Sequence, residues 1–199
     1  MATGLAAMFG RRKAMGMILF SSTKRREREA AGRLYAAAVQ AARQPVLYTE
    51  FGVPDTLQGR FEMVALHLFA LTNRLMHEPG DDPELARLVS EAFVADMDGA
   101  FREMGVSDIA VPKRMKVLYR SFAGRLGAYR AGLAEGEGAL EAALARNVFP
   151  DRPKDRCALD LARHLKVTVA AMRETDIAQL RRGEAAFPEA SPQPREEQQ

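Results

Sequence analysis

Met63 to Leu71 reads MVALHLFAL, a run whose one polar member is His67. A segment that is apolar on nearly every side has no wet face, so it belongs at the centre of a helical bundle. Working outward, Phe61, Val64, Ala65, Leu68, Leu71 and Leu75 recur at three- and four-residue spacing, and one helix takes in the whole stretch. Asp55 and Thr56 precede it. Either can cap, and Gln58 stands three residues after Asp55, the spacing of a capping box.

The flanking segments carry the same period. Leu34, Ala38 and Ala41 or Ala42 mark a helix expected from about Lys24 to Arg43, ended by Pro45. Asp82-Pro83-Glu84 opens another, with a cap, a first-turn proline and an acid at the positive helix end. Leu85, Leu88, Val89, Ala92, Phe93, Met97, Ala100 and Met104 form its stripe, and Gly105 stops it. A fourth helix begins near Pro112. Met115, Leu118, Tyr119, Phe122, Leu126, Tyr129 and Leu133 are expected on its inner face, with Gly124, Gly127 and Ala128 admitting a close neighbour. Gly136 and Gly138 end it. A short helix fits Ala139 to Val148, and a last one runs from an Asp155 cap to about Arg182. Val46 to Phe51 is the one extended candidate. The fold expected is all-α: a single-domain bundle of about five to six helices.

At 199 residues with 47% apolar content, the chain has enough material for one sizeable core. The domain reading is a basic, partly apolar and flexible arm over 1–28, a helical domain over 29–183 and a disordered tail over 184–199. The tail holds prolines and runs of Glu and Gln. The net charge of +3 is small and gives no reason to expect DNA binding. It is unevenly spread: Arg11, Arg12, Lys13, Lys24, Arg25, Arg26 and Arg28 face only Glu27 within that stretch. Such an arm suits an anionic partner, a membrane surface or a ribosome. Ala14 to Phe20 is apolar but far short of the ~20 residues a bilayer span needs. No small-residue cleavage site follows it. The single cysteine, Cys157, cannot staple the fold and reads as an inert thiol.

Catalytic patterns are scarce. His67, His77 and His164 form no pair at metal-ligand spacing. Asp160 with His164 is the best metal arrangement and is more simply a helix surface. Asp96-Met97-Asp98 has the look of a magnesium-binding cluster, but alternate positions do not share a helix face. No phosphate loop, dinucleotide fingerprint or nucleophile elbow is present. No metal, cofactor or enzymatic activity is expected. The competing readings are a small-molecule enzyme with a pocket around His67, Asp96 and Arg125, and an RNA- or ribosome-binding module acting through the arm.

Two loops remain: YTEFGVPDTLQGRF from Tyr48 to Phe61, and REMGVSDIAVPKRMK from Arg102 to Lys116. Both are longer and chemically denser than a helix connection requires. Turn and cap roles account for Gly52, Pro54, Asp55, Thr56, Gly105 and Pro112. They leave Tyr48, Phe51, Arg60, Asp108, Lys113, Arg114 and Lys116 unassigned.

These stretches resemble the ubiquinol–cytochrome c chaperone family. The residues that carry the resemblance are Tyr48, Gly52-Val53-Pro54-Asp55-Thr56, Gly59-Arg60-Phe61 and His67. Asp96-Met97-Asp98, Arg102 to Val106 with Asp108, Lys113 and Lys116 follow. Phe122-Ala123-Gly124-Arg125 and Ala128-Tyr129 complete the pattern. Phe101 stands where leucine is expected and Ser107 where glycine is expected. The match runs from about Leu34 to Leu180. It implies an all-helical, non-enzymatic assembly factor that binds newly made cytochrome b and promotes assembly of the bc1 complex. The partners it implies are cytochrome b and either a small co-chaperone or the ribosome.

The Arg- and Ala-rich composition, with no evident transit peptide, favours a bacterial protein. Such a protein would be cytoplasmic and peripheral on the inner face of the membrane. A client surface is expected along Tyr48, Phe51, Val53, Pro54, Asp55, Arg60, Asp108, Lys113, Arg125 and Tyr129. Ten methionines suit adaptable apolar contacts.

Overall fold

A computed structural model gives the structure of the chain. It describes the backbone of residues 5–152 and 156–192, with side chains from residue 23 onward. Among the described residues there are eight helices and no strand. They are α1 (Leu5–Ala42), α2 (Pro45–Thr49), α3 (Leu57–His77), α4 (Pro83–Glu103), α5 (Val111–Glu135), α6 (Glu137–Val148), α7 (Cys157–Glu174) and α8 (Ile177–Arg181).

α3 occupies the centre, as its apolar run requires. From Met63 to Leu75 all but Val64 are buried, and α1, α4, α5, α6 and α7 all touch it. Each buried leucine there contributes about 1.5–3 kcal/mol relative to exposure. α1 packs against α3 and α4, with Ala31, Leu34, Ala38 and Ala42 in the core. Its residues from Thr23 to Glu29 are exposed, so the helix reaches the bundle only at Ala30.

Local chemistry explains most boundaries. Thr56 caps α3, its hydroxyl accepting from the Gly59 N–H at 3.1 Å. Asp55 and Gln58 form no box; they turn to Arg60 and Glu62. Asp82 caps α4 through the Leu85 N–H at 3.1 Å, ahead of Pro83. Gly132 gives the close approach expected of Gly124 and Gly127. A Cβ at Gly132 would lie 2.7 Å from the Leu140 Cα, so α6 folds back on α5 there, whereas nothing crowds the other two.

Four features differ from expectation. α1 begins at Leu5, upstream of Lys24, because the stretch is rich in good helix formers and holds no proline. Pro45–Thr49 is a helical turn and not extended. The last helix is split at Thr175, where Asp176 and Gln179 build a capping box that starts α8. Tyr119, expected inside, is 57% exposed. Asp155 and residues 193–199 lie outside the described residues.

Residues 184–192, the start of the expected tail, run as a strap along the bundle. Phe187 packs on the core and Ala190 is buried. Gln44 grips the strap's main chain twice. Its amide nitrogen donates to the Pro188 carbonyl at 3.3 Å, and its oxygen accepts from the Ala190 N–H at 2.7 Å. The apolar side chains at 187 and 190 offset the ordering cost that the surrounding composition suggested would prevail.

Candidate functional site

The loop from Thr49 to Thr56 is held from within. Main-chain N–H groups of Phe51 and Val53 donate to the carbonyls of Val46 and Leu47, both at 3.1 Å. This turns both side chains inward, and each is buried. Phe51 meets the His164 ring at 5.6 Å. Gly59 lets the loop lie against α3: a Cβ there would sit 1.9 Å from the Pro54 carbonyl oxygen. Tyr48 donates its hydroxyl to the Ala42 carbonyl at 2.7 Å. Arg60 reaches Asp55 at 2.7 and 3.3 Å in an exposed two-point pair. The Arg60 hydrogen bond holds the Asp55 carboxyl below its ordinary pKa.

The second loop is fastened by Arg102, which bridges Asp98 at 2.7 Å and Asp108. Val106 N–H donates to the Phe101 carbonyl at 3.0 Å. The turn that follows presents Ile109 almost entirely to solvent (93%), while Val111 is sealed.

Between these loops the helices leave an apolar trough in two connected parts. One, of about 520 Å³, lies among α1, α2, α3 and α4, with Val39, Phe61, Val64, Phe93 and Met97 on its floor. Tyr35, Arg43, Tyr48, Asp55, Arg60 and Asp96 rim it. The other, of about 330 Å³, lies among the start of α3, the end of α4 and the start of α5. Phe101, Met104, Val117 and Leu118 line it. Leu57, Phe61 and Met97 belong to both parts and make them continuous. Leu57, Met104 and Val117 are 71%, 50% and 62% exposed, an unusual set of large apolar side chains in one place.

The rim is polar and fixed. Tyr35 donates to Asp96 at 2.6 Å; burial, reinforced by that bond, raises the phenol's pKa. Burial likewise raises Tyr48. The Arg43 side chain makes no hydrogen bond or ion pair among the described residues; its charge acts on the Tyr35 and Tyr48 hydroxyls, opposing the effect of burial.

Beneath the trough, Arg125 on α5 donates to Glu62 on α3 through Nε at 2.5 Å and through a second nitrogen. It also meets Ser121 and lies over the Phe61 ring at 5.2 Å. Burial alone would lower the guanidinium's pKa, but the Glu62 carboxylate outweighs it and raises the value. Glu62 is fully buried. Sequence reasoning passed over it, although a lone acid beside an apolar run carries the same signal as His67.

The expected client residues therefore divide. Tyr48, Asp55 and Arg60 line the trough's edge, and Pro54 is exposed beside them. Asp108 and Lys113 are exposed at the second loop. Phe51, Val53 and Tyr129 are core residues, a correction to the surface role expected of them. Arg125 supports the trough through Glu62. Of the arm, Lys24, Arg25 and Arg26 are exposed on α1, while the side chains of Arg11, Arg12 and Lys13 lie outside the described residues.

His67, Asp96 and Arg125 do not converge. His67 packs on His164 at 5.7 Å and on Phe187 at 5.6 Å, whereas Asp96 serves Tyr35 and Arg125 serves Glu62. Burial pushes both histidines down to about 4, so both rings are neutral near pH 7. His67 donates from Nδ1 to the Met63 carbonyl at 2.8 Å. No group of three or more His, Cys, Asp or Glu placed to hold a metal occurs among the described residues.

Known proteins resemble this chain over the region just described. A family model described as ubiquinol-cytochrome C chaperone matches residues 49–187. Ubiquinol-cytochrome c reductase complex assembly factor 1 of Mus musculus is 25% identical over 132 residues, 66% of this chain and 45% of that protein. The Homo sapiens protein of the same name is 25% identical over 145 residues, 73% and 46% of the two chains. The chain thus spans about half the length of these curated relatives. A solved structure, the Cbp3 homolog from Brucella abortus, superposes with a TM-score of 0.78 at 37% identity, covering 87% of this chain and 97% of that one.

Proposed function

The chain belongs to the ubiquinol-cytochrome C chaperone family, and from that premise we propose that it is an assembly chaperone for the ubiquinol–cytochrome c reductase complex. Its client is newly made cytochrome b, held by an apolar helical segment in the trough. The observation that carries this reading is the continuity of the trough through Leu57, Phe61 and Met97, with large apolar side chains left in water. A monomer gains nothing from that exposure, whereas a holding site needs it. Helix-in-groove recognition buries such a surface against the partner's apolar stripe.

The client face is accordingly redrawn. Leu57, Phe61, Met97, Met104 and Val117 provide apolar contact. Tyr48, Asp55, Arg60, Asp108 and Lys113 set orientation from the edges, which polar groups do better than they add affinity. Arg125 supports the trough from beneath through Phe61 and Glu62, while Phe51, Val53 and Tyr129 belong to the core. No bond-making is assigned to any of these residues. Among the described residues no helix is long and apolar enough to cross a membrane. The protein works from the cytoplasmic side as a peripheral component, with the basic arm from Arg11 to Arg26 near an anionic surface.

Site-specific photocrosslinking tests the reading. Probes at Leu57, Met97 and Val117 are expected to capture cytochrome b during its synthesis. A probe at Val167 on α7, also exposed, is expected to give none. Capture at Val167 with silence at the trough would reverse the assignment.

A further inference from the structure

We infer that the outer stripe of α5, with the turn that feeds it, is a docking surface for an anionic lipid bilayer. α5 carries six cations and one acid, and the acid is its last residue, Glu135. Of the cations, Lys113, Lys116 and Arg120 follow i, i+3, i+7 spacing and share one face. All three are exposed, and their side chains, like that of Arg114 beside them, make no ion pair or hydrogen bond among the described residues. The neighbouring acids Asp98 and Asp108 are both occupied by Arg102. The Glu103 side chain, at the end of α4, makes no ion pair or hydrogen bond among the described residues.

Ile109 gives the surface its second element. It stands at the apex of the Ser107–Ala110 turn, closed by the Ala110 N–H on the Ser107 carbonyl at 2.8 Å. It is 93% exposed and lies in neither part of the trough. A protruding aliphatic side chain beside unpaired cations matches a bilayer interface, where the apolar tip enters the headgroup boundary and the cations meet anionic lipid. An RNA or an acidic protein would use the cations but gain little from the isoleucine. Val117 and Arg114, on the same turn of α5, already line the trough. The trough therefore opens beside the lipid, and a client helix can pass between them without crossing water. This deepens the assembly reading and rests on it only for the client's identity.

The test is sedimentation of the full chain with vesicles of phosphatidylcholine, with and without phosphatidylglycerol. Wild type is expected to bind the anionic vesicles and to lose that binding as salt is raised. Lys116→Glu with Arg120→Glu is expected to weaken binding by at least about tenfold, since each cation near such a surface is worth about fivefold. Ile109→Asp alone is expected to weaken it several-fold. All three sites are exposed, so unchanged thermal unfolding certifies the fold.

Failure of wild type to bind, or equal binding to neutral vesicles, would overturn the inference. So would binding that survives these changes and disappears on reversing Lys24, Arg25 and Arg26, which would assign lipid contact to α1. If the cation reversals abolish binding to an RNA oligonucleotide and Ile109→Asp affects nothing, the surface is a nucleic-acid site. None of these results depends on cytochrome b capture at Leu57 and Met97, so the two readings fail separately.

Discussion

Glu62 lies in the interior against the Arg125 guanidinium, and the two are worth more as a pair than apart. Removing one partner from a buried ion pair strands the other, at a cost of about 3–5 kcal/mol. Arg125→Ala should therefore lower unfolding free energy by about 3 kcal/mol in urea titrations, although alanine suits a helix. Replacing both, Glu62→Leu with Arg125→Leu, should recover most of that loss, because no uncompensated charge remains. A second expectation concerns acid. His67 and His164 are driven down to about 4 by burial, against an ordinary value of 6.5. The unfolded chain thus binds more protons than the native one between about pH 6.5 and 4, and stability falls as pH falls through that window. Above 6.5 the histidines impose no penalty. The full loss is on the order of 3 kcal/mol for each ring. Denaturation midpoints at pH 7.5, 6 and 5 should decline accordingly, and His67→Leu should flatten the decline.

Elements obey shorter rules than sites do. Gly59→Ala drives a methyl into the Pro54 carbonyl oxygen, so it should cost at least about 2 kcal/mol and loosen the loop above it. Gly124→Ala meets nothing and should stabilise α5 by up to about 1 kcal/mol. Thermal melts of the two variants should move in opposite directions. The same locality made the helix starts legible in sequence. Thr56, Asp82-Pro83 and Pro112 act on the very next turn, as do the stops at Gly105 and Gly136. The split at Thr175 was not legible, because the apolar period continues from α7 into Ile177 and Leu180 while the chain changes direction. At the site, Tyr48 and Arg60 were identifiable as residues that turns and caps left unexplained, whereas Asp55 was covered by its capping role. Phe51 looked the same in sequence and Val53 was expected beside it on the surface, yet two main-chain hydrogen bonds fold both inward. The trough itself has no linear signature, since Leu57, Met97 and Val117 come from three helices.

For the molecule as a whole, the division between a buried scaffold and an apolar working surface makes function separable from stability. Leu57→Asp alters a side chain that is 71% exposed, so unfolding free energy should change by no more than about 0.5 kcal/mol. Under the proposed assembly role, retention of cytochrome b in pull-downs should nevertheless drop at least about tenfold, because a charge then faces the proposed client's apolar stripe. Equal retention by wild type and variant would remove the trough from the binding account. The Gln44 grip on the strap has a different bearing. Both of its hydrogen bonds engage main-chain atoms, at Pro188 and Ala190, so they ignore side-chain identity. A saturation library across 185–192 should accordingly tolerate broad replacement at 188, 189 and 191. It should reject proline at 190, which deletes the amide hydrogen that glutamine receives. Evolution is thus free to rewrite that stretch's wording while its spacing stays fixed.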